Sequence, residues 1–112
     1  MATGLIQQNN ITSTTLTAIY SGVPATKTAT VNILICNAAN NAATITLGLT
    51  TGTVSSLTAN SYIEYKAILA PFEVMERGGI VLAAGQYVYL QADSNPTGSS
   101  INLGTTITGY EV

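Results

Sequence analysis

The chain has 112 residues, of which 46% are apolar and only 7% charged, with three basic residues against five acidic ones and a net charge of −2. This length supports one domain with a real core and excludes two. Three widely spaced cations, Lys27, Lys66 and Arg77, leave no footprint for nucleic acid phosphates, and no apolar run approaches the ~20 residues of a membrane helix.

The first eight residues, Met-Ala-Thr-Gly-Leu-Ile-Gln-Gln, lack the basic and apolar regions of a secretory signal. Cys36 is the lone cysteine, set in an apolar run, so it reads as a buried structural thiol with no internal disulfide. Synthesis in a cytoplasm follows as the expectation. With so few charges, the surface must come from 18 Thr, nine Asn and eight Ser. Such a surface has little to discourage association, because net charge is what keeps monomers apart.

Taken in order, the chain has a period of two, not of 3.6. Residues 5–10 form a short first strand, and residues 1–9 are set apart as an N-terminal arm or edge strand ahead of a single domain over residues 10–112. Residues 14–20 follow, with Leu16, Ala18 and Tyr20 on one face, until Pro24, which has no N–H for a ladder, breaks the run. Residues 28–37 give the strongest strand. Val31, Ile33 and Ile35 make one apolar face, while Leu34 and Cys36 make the second apolar too, which predicts a central strand covered on both sides. Asn37 through Asn41 is turn chemistry, since Asn bonds its own backbone.

Residues 43–49 return with Ile45, Leu47 and Leu49 inward, and residues 50–60 read as a loop. In residues 62–69, Glu64 and Lys66 share a face that should be wet. Residues 73–77 form a short strand ended by Gly78-Gly79. The stretch 80–93 then organises the rest: two apolar runs meet at Ala83-Ala84-Gly85, where Gly85 can take the positive φ of a tight hairpin. Beyond it, Val88, Leu90 and Ala92 point one way, and Tyr87, Tyr89 and Gln91 the other. Residues 93–100 form a loop. The last strand runs over 101–110, with Ile101, Leu103 and Ile107 on one side, Tyr110 as an anchor and Glu111 solvated. Seven to nine short strands predict an all-β, antiparallel sandwich of jelly-roll type.

Chemical sites fail one by one. The absence of histidine removes Ser-His and Cys-His nucleophile pairs and most transition-metal sites. Glu73 and Glu76, three apart in a strand, face opposite ways. The run from Asp93 to Gly98 has the alternating oxygens of a calcium loop, but its twelfth position is Gly104 where a bidentate Glu is needed. Gly78-Gly79 lacks the strand-to-helix setting of a phosphate cradle. Thr28/Thr30 and Thr44/Thr46 are too few and irregular for an ice-binding array. The expectation is a non-enzymatic protein without cofactor or metal.

Three segments resemble a known group. They are the run 20–37 (Tyr-Ser-Gly-Val-Pro-Ala-Thr-Lys-Thr-Ala-Thr-Val-Asn-Ile-Leu-Ile-Cys-Asn) with Ala42-Ala43-Thr44-Ile45; Ile63-Glu64-Tyr65, Leu69-Ala70-Pro71 and Met75 through Leu82; and Ala84 through Leu90 with Ile107-Thr108-Gly109-Tyr110-Glu111. Their order resembles small tailed-phage virion proteins, frequent in cyanophages, built as single β-sandwiches. The turn at Pro24 is longer and lacks the expected Pro-Ala-Gly tip, so that loop makes different contacts here.

The resemblance implies a capsid decoration (cement) protein on the capsid surface, partnered by the major capsid protein or other virion proteins and by its own copies; it carries over no catalytic residues. A tail, neck or fibre subunit is the alternative within the particle. From another class comes a carbohydrate-binding module for host adsorption, with Tyr62, Tyr87, Tyr89 and Tyr110 as a stacking platform. As interface anchors, the sequence offers Leu5, Ile6, Tyr62, Tyr87, Tyr89 and Tyr110.

Overall fold

Alternating β-branched and aliphatic residues, punctuated by Asn, Gly and Pro, form eight strands and one short 3-10 turn at Ala59–Ser61 among the described residues. A computed structural model describes residues 3–93 and 100–112. The strands are β1 (Thr3–Ile11), β2 (Thr17–Tyr20), β3 (Ala29–Asn37), β4 (Ala43–Thr51), β5 (Tyr62–Leu69), β6 (Val74–Leu82), β7 (Gln86–Ala92) and β8 (Leu103–Glu111). They make two four-stranded sheets, ordered β1-β8-β3-β6 and β2-β7-β4-β5, with every pair antiparallel. The pairs β1·β8, β2·β7, β3·β6 and β4·β5 nest inside one another, as when a chain is folded in half and then rolled up. This is the topology of a jelly roll.

The core lies between the sheets. Val31, Ile33 and Ile35 from β3 and Leu103 and Ile107 from β8 meet Ile45 and Leu47 from β4 and Val88 and Leu90 from β7, all essentially removed from water. Each such side chain is worth roughly 1.5–3 kcal/mol of burial. Among the described residues four buried ones are polar: Thr46, Thr50, Thr105 and, most completely buried, Asn37. Its Nδ2 donates to the carbonyls of Asn41, Leu69 and Ala70 at 2.9, 3.2 and 3.1 Å, while its Oδ1 accepts from the Ala39 N–H at 3.1 Å.

Several expectations are corrected. Residues 80–93 are not a hairpin: β6 belongs to one sheet and β7 to the other, so the turn is a crossover. Gly85 does take a positive φ of 82°, and its turn is tied to two other loops, its N–H donating to Val23 O and its carbonyl accepting from Gly52 N–H, both at 2.9 Å. The strand before it runs through Gly78-Gly79. These two residues oppose Asn32 alone in a bulge, with Gly79 at φ 68° and its N–H donating to Asn32 Oδ1 at 3.1 Å.

In β2 a bulge at Ile19 turns both Ile19 and Tyr20 inward, breaking the expected Leu16/Ala18/Tyr20 face. In β5 a bulge places Tyr65 and Lys66 opposite Thr46, with Lys66 at φ 54°. The faces therefore swap, and Glu64 leaves the wet side. Glu111 is not simply solvated, because it accepts a hydrogen bond from the buried Tyr20 hydroxyl. The loop at Ser94 to Gly98 lies outside the described residues.

The two open sides of the sandwich are each closed by a side-chain latch. Where edge strands β5 and β6 meet, Arg77 Nε donates to Glu64 Oε1 at 2.6 Å, and Nη2 reaches the same oxygen. Where edge strands β1 and β2 meet, Gln7 Nε2 donates to Ala18 O at 3.3 Å, and Gln7 Oε1 accepts from Ser21 N–H at 2.9 Å.

Candidate interface: the bare face of one sheet

The strand register places the outward side chains of the β1-β8-β3-β6 sheet in rows. Across the sheet, Tyr110, Thr30 and Val81 form one row; Leu5, Thr108 and Asn32 the next; then Gln8, Thr106, Leu34 and Glu76; then Asn10, Gly104, Cys36 and Val74. Glu76 is the single charge among them. The missing side chain of Gly104 leaves an open trough beside Asn10 and Thr106. Among the described residues, nine large apolar side chains are exposed, and five of them, Leu5, Leu34, Val74, Val81 and Tyr110, stand on this one face. Val81 is 68% exposed and Leu5 58%.

This face replaces the expected burial of β3 on both sides. β3 is central in its sheet, flanked by β8 and β6, but among the described residues nothing covers its outer side, so Leu34 is exposed and Cys36 is half-buried, not buried. Four strands about 4.8 Å apart, each up to nine residues long at about 3.3 Å per residue, span roughly 600 Å². That approaches the ~800 Å² each partner gives to a standard protein interface.

The opposite outer face is roofed in part by its own chain, while Tyr65 and Ile68 on its β5 edge stay exposed. Leu57, from the β4–β5 connection, lies over Gly48, where an added Cβ would stand 2.5 Å from the leucine methyl. Val54 N–H donates to the Tyr89 hydroxyl at 3.3 Å. The rings of Tyr87 and Tyr89 stack with centroids 6.1 Å apart, and Tyr87 packs against Gly22 so closely that a Cβ there would lie 2.9 Å from the ring.

The six anchors read from sequence thus fall in different places. Leu5 and Tyr110 stand on the bare face. Ile6 is half-buried against the core, and Tyr89 is 6% exposed. Tyr62 stacks on Tyr65 at 4.5 Å on the β5 edge. The tyrosines form no single platform, since Tyr110 and Tyr87/Tyr89 are on opposite sheets. Alternation alone missed Leu34, Val74 and Val81. The signal was present in the second apolar face of β3, which sequence assigns equally well to an internal layer or to a partner.

Electrostatically the face is close to silent. Of the ionisable groups with a displaced pKa, Tyr20 is raised by burial, then by its hydrogen bond to Glu111 and the charge of that carboxylate, and Lys66 is raised by its hydrogen bond to Asp93. Neither is on the face. No group of three or more His, Cys, Asp or Glu able to hold a metal occurs among the described residues.

No family model matches the chain, and no curated protein does. Among solved structures it is similar to the coat protein of Tobacco streak virus, at 12% identity over 91% of this chain and 86% of that one, with a TM-score of 0.39. A second structure, a dimer of the same coat protein, gives 10% identity over 92% and 86%, with a TM-score of 0.37. Likeness this distant says nothing of function, and the jelly-roll assignment rests on the strand order and pairing given above.

Proposed function

We propose that this chain is a structural protein of a virus particle, and specifically a decoration protein that attaches to the capsid surface and bridges neighbouring capsid subunits. The observation that carries the reading is the bare β1-β8-β3-β6 face, with its five exposed apolar side chains and one charge. The resemblance to small tailed-phage virion proteins supports it. The fold alone does not choose, because jelly rolls serve capsids, lectins and cupins alike.

In this reading the chemistry is mechanical. A rigid sandwich lays an uncharged face on the capsid, and burial of Leu34, Val81, Val74, Leu5 and Tyr110 raises the cost of separating the subunits beneath. Threonine and asparagine hydroxyls and amides between them hydrogen-bond across the contact. The chain is made in the host cytoplasm and joins the particle there. A tail, neck or fibre position would use the same face against a different partner. The carbohydrate-binding reading is weaker, since its four tyrosines are scattered and Tyr89 is held under the β4–β5 connection.

Reconstruction of purified particles carrying the chain is the test. Density for it at repeating capsid positions, face inward, is the expected result. Its position in the tail selects the alternative, and its absence from particles overturns the virion reading. In parallel, Leu34→Glu should leave melting unchanged but abolish attachment.

A further inference from the structure

A sheet edge is a row of unpaired N–H and C=O groups, and proteins guard it with charge, bulges, proline or brevity. Three of the four edges here are guarded. β5 carries Glu64, Lys66 and two bulges; β6 carries Glu76, Arg77 and the Gly78-Gly79 bulge; β2 has four residues and a bulge, and the chain reaches Pro24 soon after. β1 is different. It has nine residues, no charge and no proline. Its irregularities, Gly4 at φ 83° and the bulge at Ile6, are confined to the first half, and residues 7–11 pair with β8 without interruption.

We propose that the outer edge of β1 pairs antiparallel with β1 of a second copy, joining two β1-β8-β3-β6 sheets into one sheet of eight strands. The occupant of a free edge has to be an extended strand, since main-chain hydrogen bonds make the contact. A two-fold axis sets residue i of one copy against j of the other and j against i. A charged strand placed this way repels itself, whereas the amides of Gln8 and Asn10 donate and accept equally and so match their own copies. Both lie on the exposed outer side, Gln8 reaching Thr106 Oγ1 at 3.5 Å and Asn10 donating to Asn102 Oδ1 at 2.8 Å. The pairing also sets the two bare faces side by side. It stands independently of the virion reading.

Sedimentation velocity of the full chain over a wide concentration range tests it, with two double variants: Gln8→Lys with Asn10→Lys, and Gln8→Glu with Asn10→Glu. The expected result is a concentration-dependent dimer for the unaltered chain, at least a tenfold weaker dimer for each double variant, and recovery of the dimer when the two variants are mixed. Thermal melting checks the fold, and where a double variant melts early the single Gln8→Lys and Gln8→Glu pair is used instead. A wild-type monomer at all concentrations overturns the proposal. So does a dimer that both variants retain. A dimer lost in Leu34→Glu but kept in the β1 variants would place self-association on the bare face and likewise sink the β1 pairing.

Discussion

Arg77 and Glu64 meet across the gap between the two sheets, not along one strand, and both come from edge strands. They close the side of the sandwich where the sheets would otherwise part. Their side chains are 40% and 25% exposed, so solvent screens much of the attraction. A double-mutant cycle with Arg77→Ala and Glu64→Ala should give a coupling of about 1 kcal/mol at low salt. Chemical denaturation in 1 M NaCl should shrink it to near zero, and a salt-independent coupling would show that packing, not charge, makes the latch.

Tyr20 brings a pH dependence. Burial first, then the hydrogen bond to Glu111 and its charge, lift the phenol above its ordinary value of 10.0. The folded chain therefore holds this proton more tightly than the unfolded chain. The resulting stability is fully present below pH 10 or so and is lost as pH rises beyond it toward the folded value. Denaturation followed from pH 8.5 to 11.5 should show wild type losing stability more steeply than Tyr20→Phe. Parallel curves would contradict the assignment.

Asn37 turns its amide nitrogen to three carbonyls in a buried site. Asn37→Asp presents those carbonyls with oxygen and charge, and should cost 3 kcal/mol or more, of the order seen for buried unpaired charges. Such a carboxyl has a folded pKa raised above the unfolded ~3.9. The loss should therefore be largest at neutral pH and partly recovered near pH 4, as read by melting temperature. Asn37→Ala should lack that recovery.

Gly109 in β8 has φ 143°, and a Cβ there would lie 2.0 Å from the carbonyl oxygen of Thr30 on β3. Backbone on a central strand cannot give way as a side-chain tip can. Gly109→Ala should cost more than about 3 kcal/mol or prevent folding. Gly52→Ala, also at positive φ but with nothing nearby, should cost only about 1–2 kcal/mol. Equal losses in the two variants would mean that φ and not the close approach decides.

Much of this fold is legible in residues. The alternation of Val31, Ile33 and Ile35, or of Val88, Leu90 and Ala92, marks the core faces, because side chains alternate strictly along a strand. Asn37 announces its turn by bonding Ala39 two residues on. Continuing the same alternation through Leu103, Thr105, Ile107 and Gly109 puts Glu111 inward, where Tyr20 meets it.

Other features leave no local trace. Ala83-Ala84-Gly85 specifies a turn, but not whether the strand after it rejoins the same sheet. Lys66 at positive φ has no compositional signal, and the bulge it makes is what carries Glu64 to Arg77. The bare face is ambiguous for a deeper reason. An apolar second face on β3 demands cover, and nothing in the sequence says whether the cover is a third layer or another molecule.

The nested pairing has a kinetic side. Only β4 and β5 are both consecutive in the chain and paired; every other ladder joins strands far apart, and β1·β8 ties the two extremes of the molecule together. Loop-closure entropy makes distant pairings the slow ones, and all-β proteins dominated by them fold over milliseconds to seconds. Assembly here should begin at the β4·β5 hairpin and travel outward, with the terminal ladder closing last. Core truncations at Ile45 or Ala67 should then slow refolding in stopped-flow measurements, while truncations at Ile11 or Leu103 should chiefly accelerate unfolding. A newly made chain would spend its longest folding interval with β1 and β8 still apart, so strands whose one charge is Glu111, which suit the finished surface, are also those most exposed to misassociation on the way there.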